Sequence, residues 1–236
     1  RAVPTNTLLD EAINDPVIPN HWGKNQRGMV AGEDHNELVM LERADGSMFE
    51  CTKQEAWLIA RNAAVRVARS MNDAGYHKQI PNRLLEPFTR IHTLITSVNW
   101  GNFFDLRLAA DTEPHMRDLA QAISNAMDSS VGHEDSYDGF IHAPYVTSEE
   151  RVKMSDTEII NVSAARCARI SYKPFDSDQA NYQVDREKGA ELARLRHLSP
   201  FDHVAVYQPH EDRMNVTRRR NYVGSMWTPG RVIIGQ

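Results

Sequence analysis

Apolar residues recur at helical spacing in one long stretch of this chain. Between Thr52 and Gly75, Trp57, Ala60, Ala64, Val67 or Ala68, and Met71 fall on a single stripe, the period of a helix with one buried face. Thr52-x-x-Glu55 supplies a capping box at its start, and Gly75 a stop. Arg61, Arg66 and Arg69 lie off the stripe and read as its solvated face. Pro81 to Phe88 predicts a short helix with proline near its start. Thr93 to Leu108 is apolar, rich in aromatics and helical in pattern. Asp111-Thr112 predicts the cap of a further helix, with Pro114 in its first turn and Met116, Leu119, Ile123 and Met127 as its buried stripe. Helix following helix gives a helical middle region.

The flanks read differently. Residues 1–43 are loop-rich, punctuated by Pro4, Pro16, Pro19, Gly23, Gly28 and Gly32, while Ile18, Trp22 and Met29 argue for an ordered, functional loop. Asp45-Gly46 marks a turn. Ser129 to Val146 is irregular but contains FIHAPYV (Phe140 to Val146), a strand candidate. Glu158 to Ile170 alternates enough to predict a strand followed by a short helix. Lys188 to His197 predicts a helix, and Val204, Val206 and Tyr207 a strand. The tail from Val223 to Ile234 is apolar, broken by Pro229 and Gly230. There is no internal repeat, and the content is mixed α and β.

Composition narrows the function classes. The 236 residues are 41% hydrophobic and 25% charged, an ordinary soluble balance, with a formal charge of -5. That charge argues against a coat for a nucleic-acid polymer, although local basic clusters suit a mononucleotide. Two cysteines, Cys51 and Cys167, form no disulfide framework and fit a reducing cytosol. No apolar run approaches the roughly 20 residues of a membrane helix, and no signal peptide is evident, so a cytoplasmic location is expected. H-E-x-x-H, paired C-x-x-C, G-x-S-x-G, a Walker loop and G-x-G-x-x-G are all missing. The histidines are scattered. A metal reading of His133, Glu134, Asp135, Asp138 and His142 finds no recurring ligand spacing, and no metal is expected.

The densest chemistry lies between Asn82 and Ala120, which sets Arg83, Arg90, Arg107 and Arg117 among aromatics and amides. A guanidinium is a planar, permanently charged fork of donors suited to phosphate or carboxylate. Arg107 ends the run Asn102-Phe103-Phe104-Asp105-Leu106, so it is either tied to a buried acid or set to meet an anionic ligand. The segments NRLLEPF (Asn82 to Phe88), NFFDLR (Asn102 to Arg107) and TEPHMRDLA (Thr112 to Ala120) resemble the substrate-binding half of the flavin-dependent thymidylate synthases, the ThyX family. CARISY (Cys167 to Tyr172) and RHLSPFDHVA (Arg196 to Ala205) look like its flavin-binding half. RAVPT (Arg1 to Thr5) and PVIPNHWGKNQRGM (Pro16 to Met29) are similar to the phage-type branch, in which the two halves run in the opposite order.

The resemblance implies a single α/β (α+β) domain over residues 1–236: a mixed sheet flanked by helices, with a nucleotide-binding half at 1–128 and a flavin-binding half at 129–236. It implies an enzyme, a methyltransferase converting dUMP to dTMP in nucleotide biosynthesis, with FAD as cofactor and with methylenetetrahydrofolate and NADPH as co-substrates. It assigns Arg107 and Arg83 to catalysis and, with Arg1, to the nucleotide. It assigns Asn102, His197, Ser199 and Arg196 to the flavin, with Asp202 and His203 behind them. It further implies a homotetramer with active sites between subunits, in the host cytoplasm if phage-encoded. Arg90, Arg117, Trp100 and both cysteines are read as structural. Arg1 matches only the last arginine of the family's arginine-rich signature, so an upstream or separate segment is expected to supply the rest. Glu113-Pro114-His115 departs from the family's Gln-x-Glu. Two other readings stay open: a flavin- and folate-dependent enzyme acting on another pyrimidine nucleotide, and a non-catalytic binding module on the same fold.

Overall fold

Thr52 begins the longest helix as its capping box requires. Its hydroxyl accepts from the Glu55 N–H at 3.2 Å, and Glu55 accepts from the Thr52 N–H at 2.8 Å. The computed structural model describes residues 3–28, 32–130, 141–173, 176, 180–207 and 227–234. The fold is mixed α and β, mainly helical, and comprises two compact units: unit 1, residues 1–91 and 99–131, and unit 2, residues 92–98 and 132–236.

Unit 1 opens with α1 (Thr5–Asn14), a helix inside the stretch expected to be loop. Its start lacks a side-chain cap and follows Pro4, so the usual signal is missing. Leu8, Leu9 and Ala12 make its buried face, packed with Val65, Ala68, Leu85 and Phe88. An antiparallel hairpin follows, β1 (Val39–Glu42) and β2 (Met48–Cys51), in register Val39↔Cys51. Its turn is the expected Asp45-Gly46, with Gly46 at φ +82°. The long helix, α2 (Lys53–Asp73), buries Val65 and Ala68 and leaves Val67 47% exposed, which resolves the ambiguous stripe position. Arg61 is not on a solvated face: its Nη1 donates to the Ala12 and Ile13 carbonyls at 2.6 and 2.9 Å, satisfying the C-terminal end of α1.

The short helix α3 (Pro81–Leu85), with a 3₁₀ turn over Glu86–Phe88, matches expectation. The helix expected from Thr93 shrinks to α4 (Gly101–Arg107). β-branched Thr93, Ile95, Thr96 and Val98 disfavour helix, and Asn99 Oδ1 accepts from the Gly101 N–H at 2.9 Å where α4 begins. In α5 (Pro114–Ser129) the cap is Glu113 rather than Asp111-Thr112: its carboxylate accepts from the His115 and Met116 N–H groups, while the Thr112 hydroxyl donates to the Leu106 carbonyl. The expected buried stripe is open. Met116, Leu119 and Met127 are 37%, 52% and 44% exposed, and only Ala120 on α5 is buried.

Unit 2 holds a small antiparallel sheet, β3 (Ile141–His142), β4 (Ala205–Tyr207) and β5 (Trp227–Pro229), in that order. Both described sheets are antiparallel, not mixed. A one-turn helix, α6 (Ser148–Arg151), precedes α7 (Asp156–Arg169), which replaces the expected strand and short helix. Residues 159–167 of α7 are buried on every side, so the sequence shows no amphipathic period. The overlooked start signal was Ser155-x-x-Glu158, a capping box. The next helix, α8 (Tyr182–Arg194), begins earlier than expected because Asn181 caps it, accepting from the Gln183 and Val184 N–H groups. A terminal helix, α9 (Gly230–Ile234), closes the described chain. The core is Ile141, Ile159, Ile160, Ala164, Leu192, Phe201 and Val204.

The pairing of α7 with α8 depends on Gly189, where an added Cβ would stand 2.0 Å from the Asn161 carbonyl oxygen. Alanine raises intrinsic helix propensity by about 1 kcal/mol over glycine. Gly189→Ala should nevertheless destabilise the protein by about 1–3 kcal/mol, as overpacking does. Urea unfolding measures this, and a stabilised variant would contradict the close approach.

Candidate functional site

The C-terminal end of α8 builds one wall of a cavity in unit 2. The His197 N–H bonds the Leu192 carbonyl at 2.9 Å and the Arg196 N–H bonds the Ala193 carbonyl at 3.0 Å. This is a Schellman ending. It requires a left-handed residue, and Arg196 takes it at φ 58°. The reversal delivers His197, and a 3₁₀ turn over Ser199–His203 follows, with Pro200 in its first turn. The opposite wall is the last part of α7. The cavity measures about 590 Å³ and joins Cys167, Arg169 and Tyr172 to His197, Ser199 and His203.

Charge enters this cavity through α7 and α8. Arg166 is 1% exposed. It bonds Glu150 through Nη1 and Nη2 at 2.7 and 2.6 Å, and Asp185 through Nε at 2.8 Å. Asp185 also accepts from Arg169. The Nε of Arg169 is buried and has no partner among the described residues, a donor placed beside a cavity that Asp185 and Lys188 also line. Burial pushes the Cys167 thiol up to about 12, so it stays protonated and is no nucleophile. Burial also lowers the His203 imidazole below its ordinary value, against the opposing charge of Asp202. His203 Nδ1 lies 3.1 Å from Thr96 Oγ1 of the segment 92–98, and Asp202 pairs with Arg231 at 2.6 Å. With apolar walls from Ala165, Val184, Leu192 and Pro200, the arrangement can hold a flat, partly apolar ligand carrying an anionic group.

Thus His197 and Ser199 come together with the CARISY segment in one cavity. Arg196 does not line it and its side chain is exposed. Arg83, Asn102 and Arg107 belong to unit 1, at exposed positions on α3 and α4. No side-chain bond from Arg83 or Arg107 to a described residue is found, so Arg107 is not tied to a buried acid. Arg90 pairs with Asp15 at 2.8 Å, and Arg117 donates to the Ala110 carbonyl at 3.1 Å. Trp100 packs on Phe103 and Phe104. Arg1 and the cluster His133, Glu134, Asp135 and Asp138 lie outside the described residues. Among the described residues no group of three acidic, histidine or cysteine side chains could hold a metal, and no helix is long and apolar enough to cross a membrane. Sequence reasoning held Arg169 only as part of the CARISY segment, with no role of its own, and missed Asp185 and Lys188. The signal was Asp185-x-x-Lys188 on one helix face, legible only once α8 is started at Asn181.

No protein-family profile, curated protein or solved structure matches the chain.

Two outcomes test the local geometry. Arg196→Gly should stabilise the fold by about 1 kcal/mol, because glycine accepts the left-handed conformation without steric cost; loss of stability in thermal unfolding would contradict it. A histidine whose folded pKa is depressed contributes stability that is present above its unfolded value, near 6.5, and lost as pH falls through the folded value. The His203 ring protons should therefore titrate below that value by NMR, and His203→Gln should lose less stability than the parent between pH 7 and 5. An unshifted titration would contradict the burial.

Proposed function

We propose that this chain acts in flavin-dependent thymidylate synthesis, the methylation of dUMP to dTMP with FAD, methylenetetrahydrofolate and NADPH. The observation that carries the reading is that CARISY and HLSPFDH, the two segments resembling the family's flavin block, line one cavity. The cavity fits the flavin on its own chemistry. The Arg169 guanidinium at the wall and the Lys188 ammonium, which also pairs with Glu191 at 2.7 Å, supply positive charge for a phosphate, and the apolar walls accept a ring. FAD, when bound, supplies the redox chemistry.

The chain's own residues do the rest. His197 and Ser199 donate to the flavin from the turn that Arg196 enforces. Asp185 and Arg166 hold Arg169 in place at the wall. The guanidiniums of Arg83 and Arg107, uncommitted to any described acid, bind the nucleotide: Arg83 the phosphate or base, Arg107 the pyrimidine. A fork of donors on a uracil oxygen stabilises negative charge as it builds in the ring. Asn102 can both donate and accept at a ring edge. The ThyX-like arrangement, a homotetramer with sites between subunits, is part of the same proposal.

The test is spectroscopic first. The purified full-length protein should show flavin absorption bleached by NADPH, and His197→Ala should lose FAD with the fold kept. Arg107→Ala and Arg83→Ala should weaken dUMP binding at least tenfold, about 1.4 kcal/mol, with FAD retained. Lysine should rescue only in part, because an ammonium cannot reproduce the fork. Unchanged dUMP affinity in both alanine variants would make these arginines structural. Flavin bound without nucleotide-dependent turnover would return the chain to a binding module, and turnover on a different pyrimidine nucleotide to that enzyme class.

A further inference from the structure

A second cavity of about 590 Å³ lies wholly within unit 1, under the segment from Pro19 to Gly23. The proposed reaction does not use it. Its walls are Trp22 and Trp57, with His115, His35 and Lys53 at the sides and Ala56 and Ala60 as a floor on α2. The two indoles stand edge to face, centroids 6.0 Å apart at 88°. Trp57 Nε1 donates to the Val17 carbonyl at 2.8 Å. That bond fixes the ring and leaves only its π surface for a ligand. An adjoining hollow of about 420 Å³ shares Pro19, Trp57 and His115.

Charges of both signs stand around this cavity. Lys53 spends its ammonium on Asp34 at 2.8 Å, the His35 carbonyl at 3.1 Å and Asn36 at 2.7 Å. It also sits 5.8 Å from the centroid of the Trp22 ring, where it opposes an incoming cation. Glu37 at the wall, Asp34 behind Lys53 and Glu113 behind His115 oppose an incoming anion. An uncharged ligand meets neither obstacle. His115 offers an acceptor to such a ligand. His115 Nδ1 is 2.7 Å from Glu113 Oε1, which holds the proton of the neutral ring on Nδ1. The opposite nitrogen, Nε2, is then an acceptor, and it has no hydrogen-bond partner among the described residues.

We propose that unit 1 carries a binding site for an uncharged, planar nitrogen heterocycle, which packs against Trp22 and Trp57 and donates a ring N–H to His115 Nε2. The aromatic walls select flatness, charges of both signs at the rim disfavour an ion of either sign, and the imidazole selects a donor on the ring edge. The site rests on unit 1 alone and stands whether or not the flavin reading holds.

Indole and 1-methylindole are the probes, the same ring system with the N–H replaced by N–CH3. Calorimetric titration of the full-length chain should show saturable binding of indole, at least tenfold tighter than 1-methylindole. His115→Phe should abolish that preference. Its fold is protected because Glu113 still caps α5 through backbone N–H groups. Trp22→Ala should weaken both probes at least tenfold, in line with aromatic stacking. Its fold is protected because residue 22 is held through its backbone: its N–H donates to Asp34 Oδ1 at 2.8 Å, its carbonyl accepts from the His35 N–H at 2.7 Å, and Gly23 bridges to Asp34. No saturable binding, equal affinity for the two probes, or an unchanged Trp22→Ala variant would each overturn the proposal.

Discussion

Burial of the Arg166 guanidinium is the constraint on which unit 2 depends. A buried charge costs several kcal/mol unless it is paired and fully hydrogen-bonded. Arg166 meets that demand by drawing partners from separate elements: both oxygens of Glu150 on α6, Asp185 on α8 and the Tyr145 carbonyl after β3. Each partner is held in turn. Glu150 closes its own capping box with Thr147, and the Arg166 guanidinium keeps its carboxyl below the usual range. Tyr145 takes a left-handed backbone at φ 64° just where its carbonyl serves the arginine, a conformation a bulky residue adopts only when its surroundings dictate it.

That network reaches the cavity. Asp185 is shared between Arg166 and Arg169, so the charge that satisfies the core also fixes the guanidinium at the cavity wall. Gly189 lets α8 come close enough to α7 for the sharing to occur. Two residues beyond the end of α8, the left-handed Arg196 swings His197 toward the same space. Packing and site geometry are thus one problem in this unit. A substitution at Asp185 disturbs both a buried ion pair and the orientation of a cavity donor.

Local signals were legible where they are chemical and self-contained. Thr52-x-x-Glu55, Asp45-Gly46 and Pro81 each specify their own turn of backbone, and each stands as read. Signals that depend on burial were not legible. The residues of α7 from Ile159 to Cys167 face protein on all sides, so their pattern carried no period. Arg61 reads as a surface arginine until α1 ends against it. Of the cavity, His197 and Ser199 could be named through a motif. Arg169 lies within a motif too, but its tie to Asp185 arises only through a helix pairing that the sequence does not display.

The α5 stripe makes the complementary argument. Met116, Leu119, Ile123 and Met127 recur at the spacing of a buried face, yet three of the four stay substantially exposed, with Leu106 of α4 exposed as well. Apolar side chains at one helical period seldom arise on a face that water covers. In unit 2 the demand for burial is met inside the unit, by side chains that also shape a cavity. In unit 1 it is left open on helices that follow α4, where Arg107 stands without an acid. An assembled form of the proposed kind that covered this stripe would let unit 1 meet between copies the demand for burial that unit 2 meets within itself.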